Sequence, residues 1–567
     1  MPEEISETNE NESGGSALNF LERIIEEDIR DNVYHRSVHT RFPPEPNGYL
    51  HIGSLYAINI NHGAAKRFGG VFNLRFDDTN PLKEDMEYVG AIIEDMKWAG
   101  YDPGENIFFG SDYFETIYEL TINLIENGQA FVCDLSPDEL RESRGTLTTP
   151  GVNSPYRNRS VEENLKLFEG MKNGLYNPGE KVLRAKIDMA SANINMRDPT
   201  IYRVLNADHY RSGDKWRVYP MYDYAHPIQD AIEGITHSMC SFEFKDHRPL
   251  YEWVLNALSF AFPEPPKQRE FGRMNITGAI TGKRYLRQLV SQGYADGWDD
   301  PRLPTVKGLR RRGFTVESIH DFLGEIGVAR DNSTVDISML ENSLRKDLKP
   351  KAKTVMAVLD PLPVEIINYP EGADEWVEVE NNAENPELGI RKLPFSRNLL
   401  VEREDFMEVP EKGFRRLFPG NEVRLKGAYF IKCEEVLKDD NGAAVKLLCT
   451  YDPATKSGGS FTERKVKATL HWLDAARTLP ARVNLYGRLL LNENITGEEP
   501  NWPRLVDPAS LIVMENARME ESLSAALPED KFQFIRHGYF VCDIHSKPEE
   551  KLVFNRIVAL KDTKKKG

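Results

Sequence analysis

A proline- and glycine-rich segment contains the residues most suited to chemistry on a nucleotide. It runs from Pro43 to Ser54, and its His51 lies two residues before Gly53 at the start of an apolar run. Gly48 and Gly53 would let the backbone approach a phosphate or a ribose closely. The amide groups of a helix beginning here, together with the His51 imidazole, would face negative charge that develops on a phosphate. The segment therefore predicts a nucleotide-binding loop.

The residues around this loop indicate the elements that hold it. Leu55 to Phe68 has a helical pattern that follows directly from the loop, and Val71 to Phe76 is typical of a short strand. This strand delivers Asp77 to its carboxyl end, where the ligand crevice of an open parallel sheet lies. Apolar residues recur at helical spacing from Leu18 to Ile29 and from Met86 to Met96. This order of elements predicts an α/β fold.

Composition narrows the class of protein. The chain has 567 residues and a net charge of -17, and none of its apolar runs approaches the roughly 20 residues that span a bilayer. This length predicts several domains with separate cores. The acidic start, Met1 to Glu7, lacks a secretory pattern, so we expect a cytoplasmic protein without a membrane partner. Its five cysteines are far apart in the sequence, so we expect free thiols and no structural metal.

Short β-rich runs with proline breaks dominate beyond about residue 350. Glu422 to Leu437 and Ala444 to Tyr451 are joined through Asp440-Asn441-Gly442, which is typical of a hairpin turn. We expect one or two barrels or sandwiches here, after a mostly helical segment at 285–350. Residues 1–16 are polar and charged, and this composition predicts a disordered tail.

The chain contains local clusters of basic residues despite its negative net charge. Arg310-Arg311-Arg312, Arg415-Arg416 and Arg424 to Lys426 are examples. A single short cluster is more typical of a solvated surface than of a binding site. A local basic face is nevertheless enough to bind phosphates, so the net charge does not exclude a nucleic-acid partner.

The loop at 43–54 resembles the first signature of class I aminoacyl-tRNA synthetases. In that family the motif reads His-Ile-Gly-His, whereas Ser54 occupies the fourth position here. A serine hydroxyl can donate a hydrogen bond to phosphate, but it carries no positive charge. Thr281-Gly282-Lys283-Arg284 is similar to the second signature, a mobile loop whose ammonium group faces pyrophosphate. The resemblance implies catalytic roles for His51, Ser54 and Lys283.

The resemblance also implies ATP, accompanied by Mg²⁺, as the nucleotide substrate. Arg273, Met274 and Ser241 match positions at which the family contacts ATP. The full set assigned to ATP is Glu45, Pro46, Asn47, His51, Ile52, Gly53, Ser54, Leu55, Tyr56, Ala57, Ser241, Arg273, Met274, Thr281, Gly282 and Lys283.

The resemblance covers about residues 18–560 and narrows to synthetases of the glutaminyl type. The residues that it assigns to the amino acid are Arg41, Asp77, Tyr222, Ser238, Cys240 and Gln268. Asp77 would hold the substrate ammonium, and the Tyr222 hydroxyl would contact the substrate side chain. Cys240 is a neutral thiol that does not pair with a carboxylate, which favours glutamine over glutamate. Arg41 could pair with a carboxylate, and it leaves glutamate as an alternative.

Several segments match positions that contact tRNA in the family. The turn from Arg144 to Gly151 resembles a hairpin that opens the first base pair, with Leu147 as an apolar wedge. Asp246 matches a position that reads a base edge in the acceptor stem. Residues matched to anticodon contacts are Arg415, Arg416, Arg424, Gln533 and Arg536. Two β-barrels in place of a helical anticodon domain argue against a bacterial-type glutamyl enzyme.

We therefore predict a Rossmann-like α/β class I catalytic domain with an inserted acceptor-stem domain, a helical connector and two C-terminal β-barrels. The expected boundaries are 1–16 for a disordered tail, 17–111 and 222–273 for the two halves of the catalytic domain, 112–221 for the insertion, 274–350 for the connector with the Lys283 loop, 351–396 and 475–560 for the proximal barrel, 397–474 for the distal barrel, and 561–567 for a basic tail.

The implied reaction is activation of L-glutamine with ATP to glutaminyl-adenylate, followed by transfer to the 3′ end of tRNA(Gln), with AMP and diphosphate released. The resemblance implies that only the tRNA-bound enzyme activates, and we expect a cytoplasmic monomer. One alternative is a synthetase that charges glutamate. Another is a tRNA-binding paralogue that has lost activation, suggested by Ser54, Thr281 and Gly282. A small nucleotidyltransferase would use the same His-x-Gly chemistry, but the length and β-rich final third oppose it.

Overall fold

The structure is a computed structural model that describes residues 17–491, 502–547 and 550–561. These residues divide into two units. Unit 1 contains residues 1–48, 53–275 and 326–333, and unit 2 contains residues 49–52, 276–325 and 334–567. The tail predicted at 1–16 and nearly all of the tail predicted at 561–567 lie outside the described residues. Among the described helices, none has both the length and the apolar character needed to cross a membrane.

The described helices and strands are numbered in chain order. The α-helices are α1 (Phe20–Arg30), α2 (Ile52–Arg67), α3 (Met86–Trp98), α4 (Phe114–Glu126), α5 (Pro137–Ser143), α6 (Val161–Lys172), α7 (Tyr222–Ile232), α8 (Arg248–Ala257), α9 (Lys283–Ser291), α10 (Val306–Arg312), α11 (Val316–Ile326) and α12 (Ile337–Leu348). The strands are β1 (His39–Phe42), β2 (Val71–Phe76), β3 (Ile107–Phe109), β4 (Ala130–Cys133), β5 (Val182–Ala185), β6 (Thr200–Val204), β7 (Val218–Pro220), β8 (His237–Ser241), β9 (Lys267–Phe271), β10 (Met274–Ile276), β11 (Ser333–Val335), β12 (Lys353–Val355), β13 (Ala357–Val358), β14 (Pro361–Ile366), β15 (Glu375–Glu380), β16 (Ile390–Phe395), β17 (Asn398–Glu402), β18 (Glu422–Leu425), β19 (Phe430–Lys438), β20 (Ala444–Asp452), β21 (Thr469–Leu470), β22 (Leu473–Asp474), β23 (Thr478–Tyr486), β24 (Leu511–Glu520), β25 (Lys531–Phe534), β26 (Gly538–Cys542) and β27 (Leu552–Val558).

Parallel strands organise the nucleotide half of unit 1. The strands β1, β2 and β3 form a parallel sheet in that order, with His39 opposite Val71 and Leu74 opposite Ile107. The strand β8 is parallel to β9, and the backbone N–H of Thr236, just before β8, donates to His39 O in β1 at 2.9 Å. Parallel strands point their carboxyl ends to one edge, so the side chains that follow them converge there. The strand predicted at 71–76 and the helix predicted around 86–96 are confirmed.

Unit 1 also contains a four-stranded antiparallel sheet with the order β4-β5-β6-β7. Its core is rich in aromatic side chains, and Tyr118 stacks on Phe168 with ring centroids 4.7 Å apart. Close packing of these large buried rings explains how a small sheet, flanked by α4 and α6, can form a core within unit 1.

Two seven-stranded sheets form most of unit 2. The proximal sheet has the order β12-β25-β26-β27-β23-β24-β13, and the distal sheet has the order β21-β18-β19-β20-β14-β17-β22. The predicted β-rich C-terminal part is therefore confirmed. The strand β14 pairs with β17 and β20 in the distal sheet, although the boundary expected at residue 396 assigns it to the proximal barrel.

The β-rich run from Glu422 to Leu437 forms two strands, β18 and β19. Gly427 adopts a φ of +74°, which side chains rarely tolerate, and the N–H of Leu425 donates to Tyr429 O at 2.8 Å to close a tight turn. The hairpin predicted at 440–442 is present between β19 and β20, with Gly442 at a φ of +81°.

A buried carboxylate at the end of β17 joins segments of unit 2. Glu402 is 2% exposed and accepts hydrogen bonds from the backbone N–H of Leu359 at 2.7 Å and of Asp360 at 3.1 Å. Its Oε1 also lies 2.8 Å from His537 Nε2. Although burial opposes ionisation, the hydrogen bonds from His471 and His537 hold the pKa of Glu402 well below its usual range.

We expect Glu402→Gln to lower the free energy of unfolding at pH 7 by about 2–4 kcal/mol, since an amide cannot match these donors. The carboxyl pKa is depressed in the folded state, so its contribution is present above the unfolded pKa of about 4.3 and is lost as pH falls through the folded value. Urea unfolding from pH 7 to pH 3 should show the two proteins converging in acid. The exposed Glu411→Gln is the control, and a constant gap at all pH values would contradict the prediction.

Candidate functional site

Backbone hydrogen bonds fix the first half of the nucleotide loop in unit 1. The N–H of Asp77 donates to Pro44 O, and the N–H of Asp85 donates to Pro46 O, both at 3.0 Å. Within the loop, the N–H of Asn47 donates to Glu45 O at 2.9 Å. The prolines lack donors of their own and present only carbonyls, so the loop is attached to the end of β2 and the start of α3.

His51 belongs to an extended segment in unit 2. The residues His51 and Thr305 form an antiparallel bridge, the N–H of Ile52 donates to Pro304 O at 3.0 Å, and the N–H of Val306 donates to Leu50 O at 2.9 Å. These bonds hold the backbone of His51 immediately before the first helical residue. The helix α2 therefore begins at Ile52, three residues earlier than the sequence pattern predicted.

The first turns of α2 have one buried and one partly accessible face. Gly53, Ser54 and Ala57 are half-buried, whereas the side chains of Leu55 and Tyr56 are buried. The Tyr56 hydroxyl accepts a hydrogen bond from the backbone N–H of Ala329 at 3.3 Å, and burial raises the Tyr56 pKa. Among the residues assigned to ATP on this helix, the accessible face therefore contains the two small residues and the serine.

Two further residues assigned to ATP lie at the carboxyl ends of strands in unit 1: Ser241 is the last residue of β8, and Arg273 follows β9. The Ser241 hydroxyl donates to Glu243 Oε1 at 2.9 Å, and Arg273 Nη1 lies 3.9 Å from the Glu243 carboxylate. Met274, next along the chain, is buried. Arg273 is exposed, and its backbone N–H donates to Asn332 Oδ1 at 2.8 Å.

Lys283 is the first residue of α9 in unit 2. Gly282 is the N-cap, and its carbonyl accepts the N–H groups of Tyr285 at 2.9 Å and Leu286 at 3.0 Å. The expectation that Lys283 lies within a loop is therefore wrong for this structure, because the helix includes it. Thr281 and Gly282 are half-buried. An ammonium group beside the amide groups of a helix N-terminus makes this end of α9 strongly positive.

Arg41 is buried among acceptors and is 0% exposed. Its guanidinium donates to both carboxylate oxygens of Asp230 at 3.0 and 3.2 Å, to Ser238 Oγ at 2.7 Å and to Met239 O at 2.9 Å. Its Nη2 also lies 3.6 Å from the Cys240 sulfur. The charge of Arg41 is therefore matched by Asp230 within the protein.

A second arginine, which the sequence analysis did not select, completes this network. Arg75 in β2 is fully buried and donates to Asp77 Oδ1 at 2.8 Å and to Asp230 Oδ1 at 2.7 Å. His226 on α7 lies between the two guanidinium groups, with Nε2 2.7 Å from Arg41 Nη2 and Nδ1 3.0 Å from Arg75 Nη2. Arg75 lies in the motif Arg75-Phe76-Asp77-Asp78, but sequence alone does not show which face of a strand such a residue occupies.

The residues assigned to glutamine lie around this network. Although burial opposes ionisation, Arg75 holds the pKa of Asp77 below its usual range, and Asp77 Oδ2 is buried without a hydrogen-bond partner among the described residues. Tyr222 stacks on His226 with centroids 5.0 Å apart, and burial raises its pKa, which keeps the hydroxyl protonated. Burial opposes ionisation of the Cys240 thiol, but Arg41 and His226 lower its pKa.

Gln268 joins the same edge of unit 1 through the pairing of β8 with β9. It lies opposite Ser238 in the register, and its Nε2 donates to Phe244 O and to Glu270 Oε1, both at 3.0 Å. The structure therefore brings all six residues assigned to glutamine to neighbouring strands and α7.

The turn that contains Leu147 is held by a buried arginine. Leu147 is 80% exposed, whereas Arg197 is 2% exposed and its Nη1 donates to the carbonyls of Arg144, Thr146 and Thr149 at 2.9, 2.8 and 2.8 Å. The Arg197 guanidinium thus fixes three carbonyls of the short turn, and the Leu147 side chain of the same turn faces solvent. Arg197 was missed by the sequence analysis, because its role depends on a contact 48 to 53 residues away along the chain.

Asp246 lies in the short helical segment after β8, and its side chain is exposed. Its carbonyl accepts hydrogen bonds from Asn193 Nδ2 at 2.7 Å and Asn195 Nδ2 at 3.2 Å. These amides fix the backbone and leave the carboxylate accessible to a ligand.

Asp405 holds two of the arginines assigned to the anticodon. It is fully buried, and its carboxylate accepts two hydrogen bonds from Arg536 at 2.6 Å each and lies 3.1 Å from Arg416 Nη1. Arg536 adopts a φ of +70°, a conformation that few residues other than glycine adopt. Arg415 is exposed.

A basic cleft of about 400 Å³ contains two of the residues assigned to tRNA. Its polar lining includes Gln533, Arg536, Lys426, Arg345, Lys346 and Lys349. Arg424 instead faces the segment that follows β20, where it donates to Thr455 O at 3.1 Å and Ser457 Oγ at 2.9 Å. Lys426, two residues later in the same basic cluster, lines the cleft. It was not among the residues assigned to tRNA, since the position of the turn decides which cation faces the cleft.

Glu402, His471 and His537 have donor atoms within 4.8 Å of one another, a spacing that could suit a metal ion. The carboxylate already accepts the hydrogen bonds described above. The expectation of no structural metal stays a prediction.

Nearly the whole chain is similar to known proteins. The catalytic domain described as tRNA synthetases class I (E and Q) matches residues 37–350, and two anti-codon binding domains of the same description match 352–452 and 469–543. A glutamine–tRNA ligase of Clostridium kluyveri is 55% identical and covers 97% of this chain and 98% of the relative. Similarly named proteins of Clostridium perfringens and Clostridioides difficile are 54% and 53% identical, over 96% and 98% of this chain and 98% and 100% of the relatives.

We expect Asp230→Asn to lower the free energy of unfolding by about 3–5 kcal/mol, because it leaves two buried guanidinium groups with one carboxylate fewer. Urea unfolding measures this loss. Asp223→Asn is the matched control on the same helix, since Asp223 is paired with His247 but partly exposed, and we expect a change below about 1 kcal/mol. Equal losses in both variants would rule out a special role for the buried network.

Proposed function

Because this chain belongs to the class I tRNA synthetases for glutamate and glutamine, we propose that it is a glutamine–tRNA ligase. It would activate L-glutamine with ATP to glutaminyl-adenylate and transfer the glutaminyl group to the 3′ end of tRNA(Gln), with AMP and diphosphate released. Similarity to glutamine–tRNA ligases over nearly the full chain supports this proposal. The choice of amino acid rests on one observation, the matched ion pairs around Arg41.

The pocket chemistry favours an amide over a carboxylate. Arg41 already pairs with Asp230, so a glutamate carboxylate beside Cys240 would have to compete with that buried pair. A neutral glutamine amide leaves the pair intact. The protonated Tyr222 hydroxyl can donate to the amide oxygen, whereas a partly neutralised carboxylate would be left buried without a full partner. The pairing of Arg41 with Asp230 therefore weighs against the alternative that glutamate is the substrate.

The amino group of the substrate would bind Asp77. Among the described residues, the Oδ2 of this ionised, buried carboxylate accepts no hydrogen bond, and the Nδ1 of His226 lies 3.5 Å away from it. A substrate ammonium group could donate to this oxygen. Arg75 holds the other oxygen, so the carboxylate is oriented before the substrate arrives.

We propose ATP, accompanied by Mg²⁺, as the nucleotide substrate. The loop at 43–48 presents a fixed backbone, and the accessible face of α2 adds the small residues Gly53 and Ala57 with the Ser54 hydroxyl. We assign to His51 and Lys283 the stabilisation of charge on the phosphates as amino acid attacks and pyrophosphate leaves. The amide groups at the start of α9 would add to the effect of the Lys283 ammonium.

Two regions would contact tRNA. We propose that 112–221 is the acceptor-stem domain, in which the exposed Leu147 on its fixed turn separates the first base pair. Asp246, outside this range in the short helical segment after β8, would read a base edge in the acceptor stem. The basic cleft of unit 2, with Gln533, Arg536 and Lys426, would receive unstacked anticodon bases. A monomer in the cytoplasm remains the expectation from the sequence.

Pyrophosphate exchange with defined substrates tests this function. We expect exchange with glutamine and its tRNA to exceed exchange with glutamate and the same tRNA by at least about 100-fold, because Arg41, the cation beside Cys240, is already paired with Asp230. Omission of tRNA should abolish exchange. Preference for glutamate would support the first alternative, and tRNA binding without exchange would support an inactive paralogue.

His51→Ala should lower the rate of exchange by about 10²–10³-fold and leave tRNA affinity unchanged, because the imidazole acts on phosphate charge in the transition state. Rapid-quench measurement of adenylate formation, with filter binding of tRNA, separates the two effects. His35→Ala is the control, since its side chain is 73% exposed and forms a surface pair with Glu264. Unchanged exchange in His51→Ala would remove this residue from the mechanism.

A further inference from the structure

Two cysteines face each other in the core of the distal sheet. Cys433 in β19 lies directly opposite Cys449 in β20, and both thiols are buried among the same apolar side chains. The other cysteines have different cross-strand neighbours: Cys133 lies opposite Val182, Cys240 opposite Glu270, and Cys542 opposite Phe554.

The backbone hydrogen bonds define the type of pair. The N–H of Cys433 donates to Asn421 O at 3.3 Å, and its carbonyl accepts from the N–H of Gly420 at 2.7 Å, so both groups point away from β20. The carbonyl of Cys449 likewise accepts from the N–H of Ile367 at 2.8 Å. This is the non-hydrogen-bonded arrangement, in which opposite Cα atoms lie about 4.5 Å apart and side chains are closest. That separation lies within the range of disulfide-bonded cysteines.

We propose that Cys433 and Cys449 are an oxidation site that closes into an intramolecular disulfide on exposure to a hydroperoxide. The geometry requires no movement of the strands, because the register already places the two β-carbons side by side. A β-bulge follows immediately, between Cys433 and Glu435, and gives the ladder a local irregularity through which the strands can open.

The chemistry balances in two steps. The Cys433 thiolate attacks the peroxide, the O–O bond breaks, and Cys433 becomes a sulfenic acid while the peroxide is reduced to water or an alcohol. The Cys449 sulfur then attacks the Cys433 sulfur, and the S–O bond breaks. The departing hydroxyl group takes up the Cys449 thiol proton and leaves as water. Proximity of the Cys449 thiol lowers the pKa of Cys433, which favours the thiolate that the first step needs.

Peptide mapping of the full chain tests the proposal. The protein is treated with hydrogen peroxide, its remaining thiols are alkylated, and the digest is compared with that of protein reduced by dithiothreitol. We expect a linked peptide pair that contains Cys433 and Cys449, lighter by two hydrogens than the reduced pair, with the other three cysteines alkylated. The unfolding temperature should rise in the oxidised protein, because the cross-link restricts the unfolded chain.

Two cysteine variants and a repeat of the mapping in urea distinguish the possible outcomes. Cys449→Ala should leave Cys433 as a sulfenic acid that dimedone traps, whereas the control Cys542→Ala should form the same linked pair as the unchanged protein. Since both thiols are buried, the mapping is repeated in urea below the unfolding midpoint to speed access. Recovery of both cysteines in alkylated form under both conditions would overturn the proposal, as would linkage of either one to another cysteine.

Discussion

The substrate half of this protein depends on one buried charge network. Asp230 on α7 accepts hydrogen bonds from Arg41 in β1 and from Arg75 in β2, and the hydroxyl of Tyr251 adds a further bond at 2.9 Å. Buried charges are costly unless they are paired and hydrogen-bonded, so each member constrains the position of the others. The network joins two parallel strands and one helix at the edge where their carboxyl ends meet. Asp77 obtains its orientation from this arrangement.

The pairing of charges inside the protein also determines which substrate side chain the pocket can select. An unpaired arginine would attract any carboxylate. An arginine whose guanidinium is already hydrogen-bonded to acceptors of the protein attracts a substrate carboxylate much less. Under the proposed function, selectivity for a neutral amide would follow from this pairing. Asp405 has a similar effect in unit 2, where its buried carboxylate fixes Arg536 and approaches Arg416. An acidic chain can therefore present well-oriented cations to RNA at chosen places.

The glutaminyl family, the nucleotide loop and the principal strands could all be predicted from the sequence. The pattern at 71–76 specifies β2 because apolar and β-favouring residues are contiguous there, and Asp440-Asn441-Gly442 specifies the hairpin because Gly442 tolerates a positive φ. The division of 422–437 into two strands was missed. Gly427 marks the turn, but only the contact between Leu425 and Tyr429 shows that the chain reverses there.

Sequence by itself determined residue types and their local order: a histidine before a helix, a carboxylate after a strand, and a thiol where a cation would suit glutamate. Tertiary structure alone decided how those groups are used. It paired Arg41 with Asp230, which is 189 residues away along the chain, placed Lys426 and not Arg424 in the basic cleft, and set Cys433 opposite Cys449. The physical reason is that hydrogen bonds and ion pairs depend on distances of a few ångströms in space, and such distances between remote segments are fixed only when the chain packs.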